Sequence, residues 1–225
     1  MKKALILVAG GTGTRMRSSI PKQFLELNGK PLIFHTLNQF LAVYPELEVV
    51  LVMHPNYVTF WHEQCQKHGF THPVKVVDGG AERFHSVKNG LDEIVAEHGV
   101  LAVHDAVRPF PSKECIERCF TMAEEQGAAI PVVTLVDSIR KVHGSSSIAE
   151  DRSDFRLVQT PQCFSVSLLR EAYQQQYKDE FTDDASVVEA FGHKIQLVEG
   201  NRENVKITTP DDLIFAQAWL AALQD

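Results

Sequence analysis

The residues best suited to chemistry stand near the amino end: Ala9-Gly10-Gly11-Thr12-Gly13-Thr14-Arg15, with Pro21-Lys22 a few positions on. An apolar run, Ala4 to Val8, leads into them. Glycine lets backbone approach a ligand closely, and successive free N–H groups at a strand end make an anion-binding concavity. Arg15 and Lys22 add full positive charge where a phosphate would sit. Pro21 fixes its own φ and restricts Ile20, so Lys22 is held in a defined direction. Ala9, Gly10, Gly11, Thr12 and Gly13, taken with those two cations, read as a site for a polyphosphate.

Two familiar phosphate loops do not fit. A dinucleotide fingerprint needs a third glycine, and the second apolar run (Glu48 to Met53) ends in His54-Pro55 where an acid should hold a ribose. A P-loop needs Ser or Thr after Gly-Lys, but Gly29-Lys30 continues into Pro31. A structural turn explains the glycines alone, not the cations that follow them.

Asp105 ends another apolar run, Val100 to Val103, in the segment His104-Asp105-Ala106-Val107-Arg108-Pro109. A carboxylate there can hold Mg²⁺ or a sugar hydroxyl, or cap the next turn. Arg108, Arg152 and Lys206 by themselves read as surface ion-pair partners. Thr208-Thr209-Pro210-Asp211-Asp212 reads as a helix start, with proline at the first position and acids facing the dipole. Phe181-Thr182-Asp183-Asp184 reads either as an N-cap or as part of a site.

The elements that must position these groups alternate. Strands are expected over Lys3–Val8, Glu48–Met53, Val74–Val77, Val100–Val103, Ala128–Val133 and Ile195–Val198. Helices are expected over Pro31–Val43, Tyr57–His68, Arg83–Glu97, Lys113–Gln126 (N-capped by Ser112), Ser167–Tyr177, Asp184–Phe191 and Pro210–Leu223. Apolar strands alternating with amphipathic helices imply an α/β fold with a mostly parallel twisted sheet and helices on both faces. Ligands bind such sheets beyond the carboxyl ends of the strands, where the polar clusters fall. The alternation breaks over Leu135–Gln162. Val136–Val142 reads as a strand, Gly144–Ser147 as a turn and Arg156–Gln159 as the returning strand of a projecting hairpin. With no repeat or linker, residues 1–225 read as one domain with an arm inserted at about 135–162.

Composition narrows the partners. Twenty-two basic against 29 acidic residues leave a net charge of −7, which argues against a nucleic-acid or membrane binder. Lys2-Lys3 resembles the start of a signal peptide, but the apolar run breaks at Gly10, so the cytoplasm is the default compartment. Four cysteines show neither disulfide nor zinc spacing and read as buried or half-buried free thiols. His62-Glu63 lacks the second histidine of a zinc-protease helix, and no G-x-S-x-G elbow occurs.

The motifs together are specific. AGGTGTRM with PKQF (Ala9–Phe24), GGAERFHSVKNGL (Gly79–Leu91), HDAVRPF (His104–Phe110), QTPQ-x-F (Gln159–Phe164), TDDAS (Thr182–Ser186) and VEGNRENVKIT-x-P-x-D (Val198–Asp212) run in order through the chain. On them the whole chain resembles the 2-C-methyl-D-erythritol 4-phosphate cytidylyltransferases of the non-mevalonate isoprenoid pathway. The resemblance implies a Rossmann-like nucleotidyltransferase domain. It also implies reaction of CTP with a polyol phosphate and release of pyrophosphate, with Mg²⁺ bridging the phosphates. It carries Arg15 and Lys22 over as the catalytic cations, and Arg152 and Lys206 as residues that hold the acceptor phosphate. Asp105, Arg108, Ser138, Thr160 and Thr182 become further contacts to that substrate, and Asp105 a possible metal ligand. Gly80, Ala81 and Ser86 become part of the cytosine and ribose pocket. A homodimer is implied, with the arm crossing to the partner. Ser138 stands where the family usually has threonine; the hydroxyl remains with a less restrained rotamer. AGGTGTRM and HDAVRPF are also similar to ribitol-5-phosphate cytidylyltransferases, while GGAERFHSVKNGL, FTDDAS and Arg140 lean toward the methylerythritol enzymes. Outside this class, a nicotinamide dehydrogenase and a non-catalytic nucleotide sensor are the competing readings.

Overall fold

The computed structural model describes residues 1–10 and 20–222. In chain order, β1 (Lys3–Ala9) precedes a small ribbon of β2 (Glu26–Leu27) and β3 (Lys30–Pro31), then α1 (Leu32–Val43). Next come β4 (Glu48–Met53), α2 (Val58–His68), β5 (Val74–Asp78), α3 (Arg83–Asp92), β6 (Val100–Asp105), α4 (Lys113–Gln126) and β7 (Ala128–Thr134). The remainder is β8 (Ile139–His143), β9 (Ser146–Glu150), β10 (Arg156–Val158), β11 (Gln162–Ser165), α5 (Val166–Ala172), α6 (Asp184–Ala190), β12 (Gln196–Glu199) and α7 (Pro210–Ala222).

β5, β4, β1 and β6 lie side by side and parallel. β11 runs antiparallel between β6 and β7, while β12 pairs parallel with the other edge of β7. Successive strand residues point to opposite faces. Leu5, Leu7, Val49 and Leu51 therefore pack with Phe34, Phe40 and Phe120 on one face. Ala4, Ile6, Val50 and Val52 pack with Phe84, Val87, Leu169 and Tyr173 on the other. Burial of both faces is why these strands read as continuous apolar runs. Cys115, Cys119 and Cys163 are buried free thiols in this core, and Cys65 is half-buried.

The parallel register aligns the strand ends. Ala9 lies opposite Met53, Met53 opposite Asp78, and Val8 opposite Asp105. The carboxyl ends of β1, β5 and β6 thereby share one edge of the sheet, as the strand pattern implies.

Most element ends shift by one or two residues from the sequence reading, and the larger differences are in the hairpin, α3 and α5. The hairpin is β8 with β9, closed at Gly144, whose φ of +59° suits glycine. Arg156–Val158 is not its returning strand: it pairs antiparallel with β7, and Gln162–Ser165 lies within the central sheet. The paired hairpin therefore occupies Ile139–Glu150 within the stretch 135–162. α3 stops at Asp92 because the Glu48 carboxylate takes the amides of Val95 and Ala96, which a longer helix would need. α5 ends at Ala172, where i→i+3 bonds from Gln174 and Gln175 tighten the chain. α7 is described to Ala222, so Leu223 lies outside the described residues.

Candidate active site

A cavity of about 260 Å³ opens at the carboxyl edge of β1 and β6. Ala9, Gly10, Gly80, Ala81 and Ser86 line one part of it, and Lys22, Asp105 and Lys206 another. Gly11, Thr12, Gly13 and Arg15 lie outside the described residues.

The wall formed by α3 depends on close backbone approach. The Gly80 amide donates to Ser86 Oγ at 3.0 Å, and a Cβ on Gly80 would stand 2.3 Å from His85 Cβ. Only glycine fits there. Lys22 opens a short helical turn, Lys22–Phe24, after Pro21 (φ −59°, ψ 142°). Gln23 and Phe24 are buried, and Gln23 Nε2 donates to the Ala9 carbonyl at 2.9 Å. That bond ties the Lys22 turn to the end of β1.

Asp105 is 7% exposed and ends β6. Its Oδ2 receives Lys206 Nζ at 3.0 Å and Arg108 Nε at 3.2 Å. Burial raises its pKa, but Lys206, Arg83 and Arg108 together outweigh burial and hold the carboxyl well below the usual range. Arg108 also donates to the Asn204 carbonyl at 2.8 Å, and the Ile207 amide donates to the Val107 carbonyl at 2.9 Å. These bonds lay the Lys206 segment beside the loop after β6.

Thr160 is buried, and its hydroxyl is engaged within the protein. Oγ1 accepts from the Asp105 amide at 3.2 Å and lies 2.9 Å from His104 Nδ1. His104 Nε2 faces the Arg108 carbonyl at 3.0 Å and must carry the proton there, so Nδ1 accepts from the threonine. Burial pushes the His104 pKa down to about 4, in keeping with this neutral tautomer. Thr160 therefore orients Asp105 and His104.

Thr182 is exposed just before α6, whose N-cap is Asp183 in a reciprocal bond pair with Ser186. Ser138 and Arg152 flank the β8–β9 hairpin. Both are exposed, neither lines the cavity, and the Arg152 guanidinium donates to the Val136 carbonyl. Val136, Val142 and Ile148, on or beside the same hairpin, are exposed as well.

The structure adds residues that motif reading passed over. Gln23 and Arg83 line the cavity, and Asn204 Nδ2 donates to the Thr160 carbonyl at 2.8 Å. Arg83 pairs with Asp184, 101 positions away. Both lie inside motifs already quoted, but nothing local to either one announces the pairing.

A cavity lined by cations, a glycine-built wall and one ionised aspartate suits a phosphorylated ligand. A sequence model of the family 2-C-methyl-D-erythritol 4-phosphate cytidylyltransferase matches residues 3–222. A relative of that name from Bacteroides thetaiotaomicron is 49% identical over 220 residues, covering 98% of this chain and all of its own. One from Geobacillus kaustophilus is 40% identical over 227 residues, covering 99% and 98%. Among solved structures, 4-diphosphocytidyl-2C-methyl-D-erythritol synthase from Anaerococcus prevotii superposes with a TM-score of 0.83 at 26% identity, covering 98% of each chain. The cytidylyltransferase from Thermus thermophilus does so at 0.75 and 31%, covering 98% of this chain and all of that one. The fold is therefore the α/β fold of those enzymes, and the chain belongs to the 2-C-methyl-D-erythritol 4-phosphate cytidylyltransferase family.

Proposed function

We propose that the protein transfers a cytidylyl group from CTP to 2-C-methyl-D-erythritol 4-phosphate in isoprenoid precursor synthesis. A phosphate oxygen of the acceptor attacks the α-phosphorus, the bond to the β-phosphate oxygen breaks, and pyrophosphate leaves. Such transfer rests on positioning and charge rather than on covalent chemistry by the protein. The observation that carries the reading is that Lys22, Lys206 and Asp105 share one cavity with the Gly80–Ser86 wall.

In this reading Ala9, Gly10, Gly80, Ala81 and Ser86 receive the nucleotide, while Lys22, with Arg15, stabilises charge building on the α-phosphate. Lys206, held by Asp105, meets the acceptor phosphate. Arg108 and Thr160 keep Asp105 in place, and Thr182 borders the acceptor. The residues here would hold Mg²⁺ only together with the triphosphate of CTP. Among the described residues no group of three or more His, Cys, Asp or Glu could hold a metal, whereas Asp105 and Glu82 line the cavity. Mg²⁺ commonly takes one or two carboxylates plus substrate phosphates, so this donor set fits an ion carried by CTP. When bound, it would neutralise phosphate charge.

Arg152 and Ser138 lie off this cavity, and in this reading the arm carries them to the site of a second subunit, in a cytoplasmic homodimer. The exposed apolar residues of the arm support that assembly. No described helix is long and apolar enough to cross a membrane.

Pyrophosphate release with each nucleoside triphosphate, against methylerythritol phosphate and ribitol phosphate, tests the proposal. CTP with methylerythritol phosphate is expected to turn over fastest when Mg²⁺ is present. Preference for ribitol phosphate, or equal use of all four nucleotides, would overturn it.

A further inference from the structure

Arg83 opens α3 beside the Gly80 wall and lines the cavity. Its guanidinium is bidentate on Asp184: one terminal nitrogen donates to Oδ1 at 2.8 Å and the other to Oδ2 at 2.6 Å. Asp184 is fully buried, and its Oδ1 also accepts from the Tyr173 hydroxyl at 2.6 Å. It opens α6, two residues after Thr182.

The contacts continue across the site. Gln162 Nε2 donates to Asp183 Oδ2 at 2.7 Å, and Gln162 Oε1 accepts from the Ala185 amide at 2.9 Å. Gln162 lies opposite Val103 of β6, two residues before Asp105, and stands two residues after Thr160. A series of polar contacts therefore joins the first turn of α3 to the first turn of α6, and α6 to the strands that carry Thr160 and Asp105.

Asp184 is buried while Arg83 is half-buried at the cavity, and a carboxylate taken out of water gains little net stability from such a pair over well-packed apolar residues, so stability alone does not account for one built into a cavity wall. Each terminal nitrogen of Arg83 gives one N–H to Asp184, and this two-point grip fixes the orientation of the guanidinium and with it the first turn of α3. Resting on the functional reading above, we propose that Arg83 and Asp184 are positioning residues, a clamp that holds the nucleotide wall and the acceptor-side loop in one frame for in-line attack.

The decisive variant is Arg83→Met/Asp184→Leu, which removes the pair without stranding a buried charge. It is expected to fold with a nearly unchanged Tm. KM for CTP and KM for methylerythritol phosphate should rise together, with kcat/KM lower by roughly 10- to 100-fold, the scale of a misplaced reacting group. Amide hydrogen exchange should quicken in 79–86 and 182–186 together. Arg83→Lys and Asp184→Asn should shift both KM values in the same direction. A folded double variant with unchanged KM values and exchange would reduce the pair to a structural contact. Normal kinetics in Asp184→Asn, with CTP binding alone lost in Arg83→Met, would make Arg83 a direct nucleotide ligand and overturn the clamp. Should the buried substitutions prevent folding, Tyr173→Phe keeps the ring stacked on Phe84 and removes one bond to Asp184. A parallel rise in both KM values then supports the clamp, and unchanged values overturn it. If the wild type fails to release pyrophosphate from CTP, the functional reading falls, while joint exchange of the two segments still tests the clamp.

Discussion

At the scale of single residues, Lys22 and His104 illustrate two uses of charge. Lys22 sits in a turn tied to β1, facing a cavity shared with Lys206 and Asp105. A pre-organised cation matters most when negative charge develops, so Lys22→Ala should lower kcat by roughly 10²–10³ with a smaller change in KM for CTP. Steady-state pyrophosphate release checks the split; normal kcat with raised KM would limit Lys22 to ground-state binding. His104 works by staying neutral. Its pKa falls from 6.5 to about 4 on folding, so the unfolded chain takes up the proton first as pH drops. The stability it contributes is fully present above pH 6.5 and is lost as pH falls toward 4, by roughly 2–3 kcal/mol. Urea unfolding at pH 7 and pH 4.5 should show that loss, and His104→Asn should show less of it. The depressed Asp105 acts lower still, its contribution going only as pH drops below the usual carboxylate range.

Elements set distances that no side chain could choose alone. The turn before α3 brings the Gly80 amide onto Ser86 Oγ, with His85 Cβ where any larger residue would put its own. Gly80→Ala must push this turn outward. The helix behind it is anchored by Phe84, Val87 and Leu91 in the core, so the protein should stay folded. KM for CTP is expected to rise roughly tenfold, the equivalent of about 1.4 kcal/mol. Kinetics alongside a thermal melt would show whether the loss is local. A large drop in Tm would instead place Gly80 among residues needed for folding.

Over the whole molecule, the question is where the arm acts. Arg152 and Lys22 do not share a cavity within one chain. If the arm completes a neighbouring site, Arg152→Ala and Lys22→Ala homodimers should each be nearly inactive. Co-refolded at equal amounts, half the dimers pair one of each, with both lesions in one pocket and the other intact. Activity should return to roughly a quarter of wild type for random pairing of two-fold dimers. A fully exchanged mixture that stays inactive would place the arm on its own subunit.

Much of this was legible in local pattern. Apolar strand runs, helix caps such as Ser112 and Asp183, and the glycine before Ser86 are short-range features, decided by backbone sterics and side chains a few positions apart. The family, too, was readable from ordered motifs. What the chain could not disclose locally were the pairings between distant segments. β10 has the composition of a hairpin strand, yet β7 offers it a partner while β9 already fills the place beside β8. Nothing beside Thr160 in the chain announces that packing sets its hydroxyl against the Asp105 amide and the His104 ring. Arg83 meets Asp184 across 101 residues because the sheet order sets α3 and α6 on one face. Sequence specified which residues could carry charge and turn the chain. Tertiary packing decided which of those charges meet, because a buried ion needs a partner and only the assembled fold supplies one.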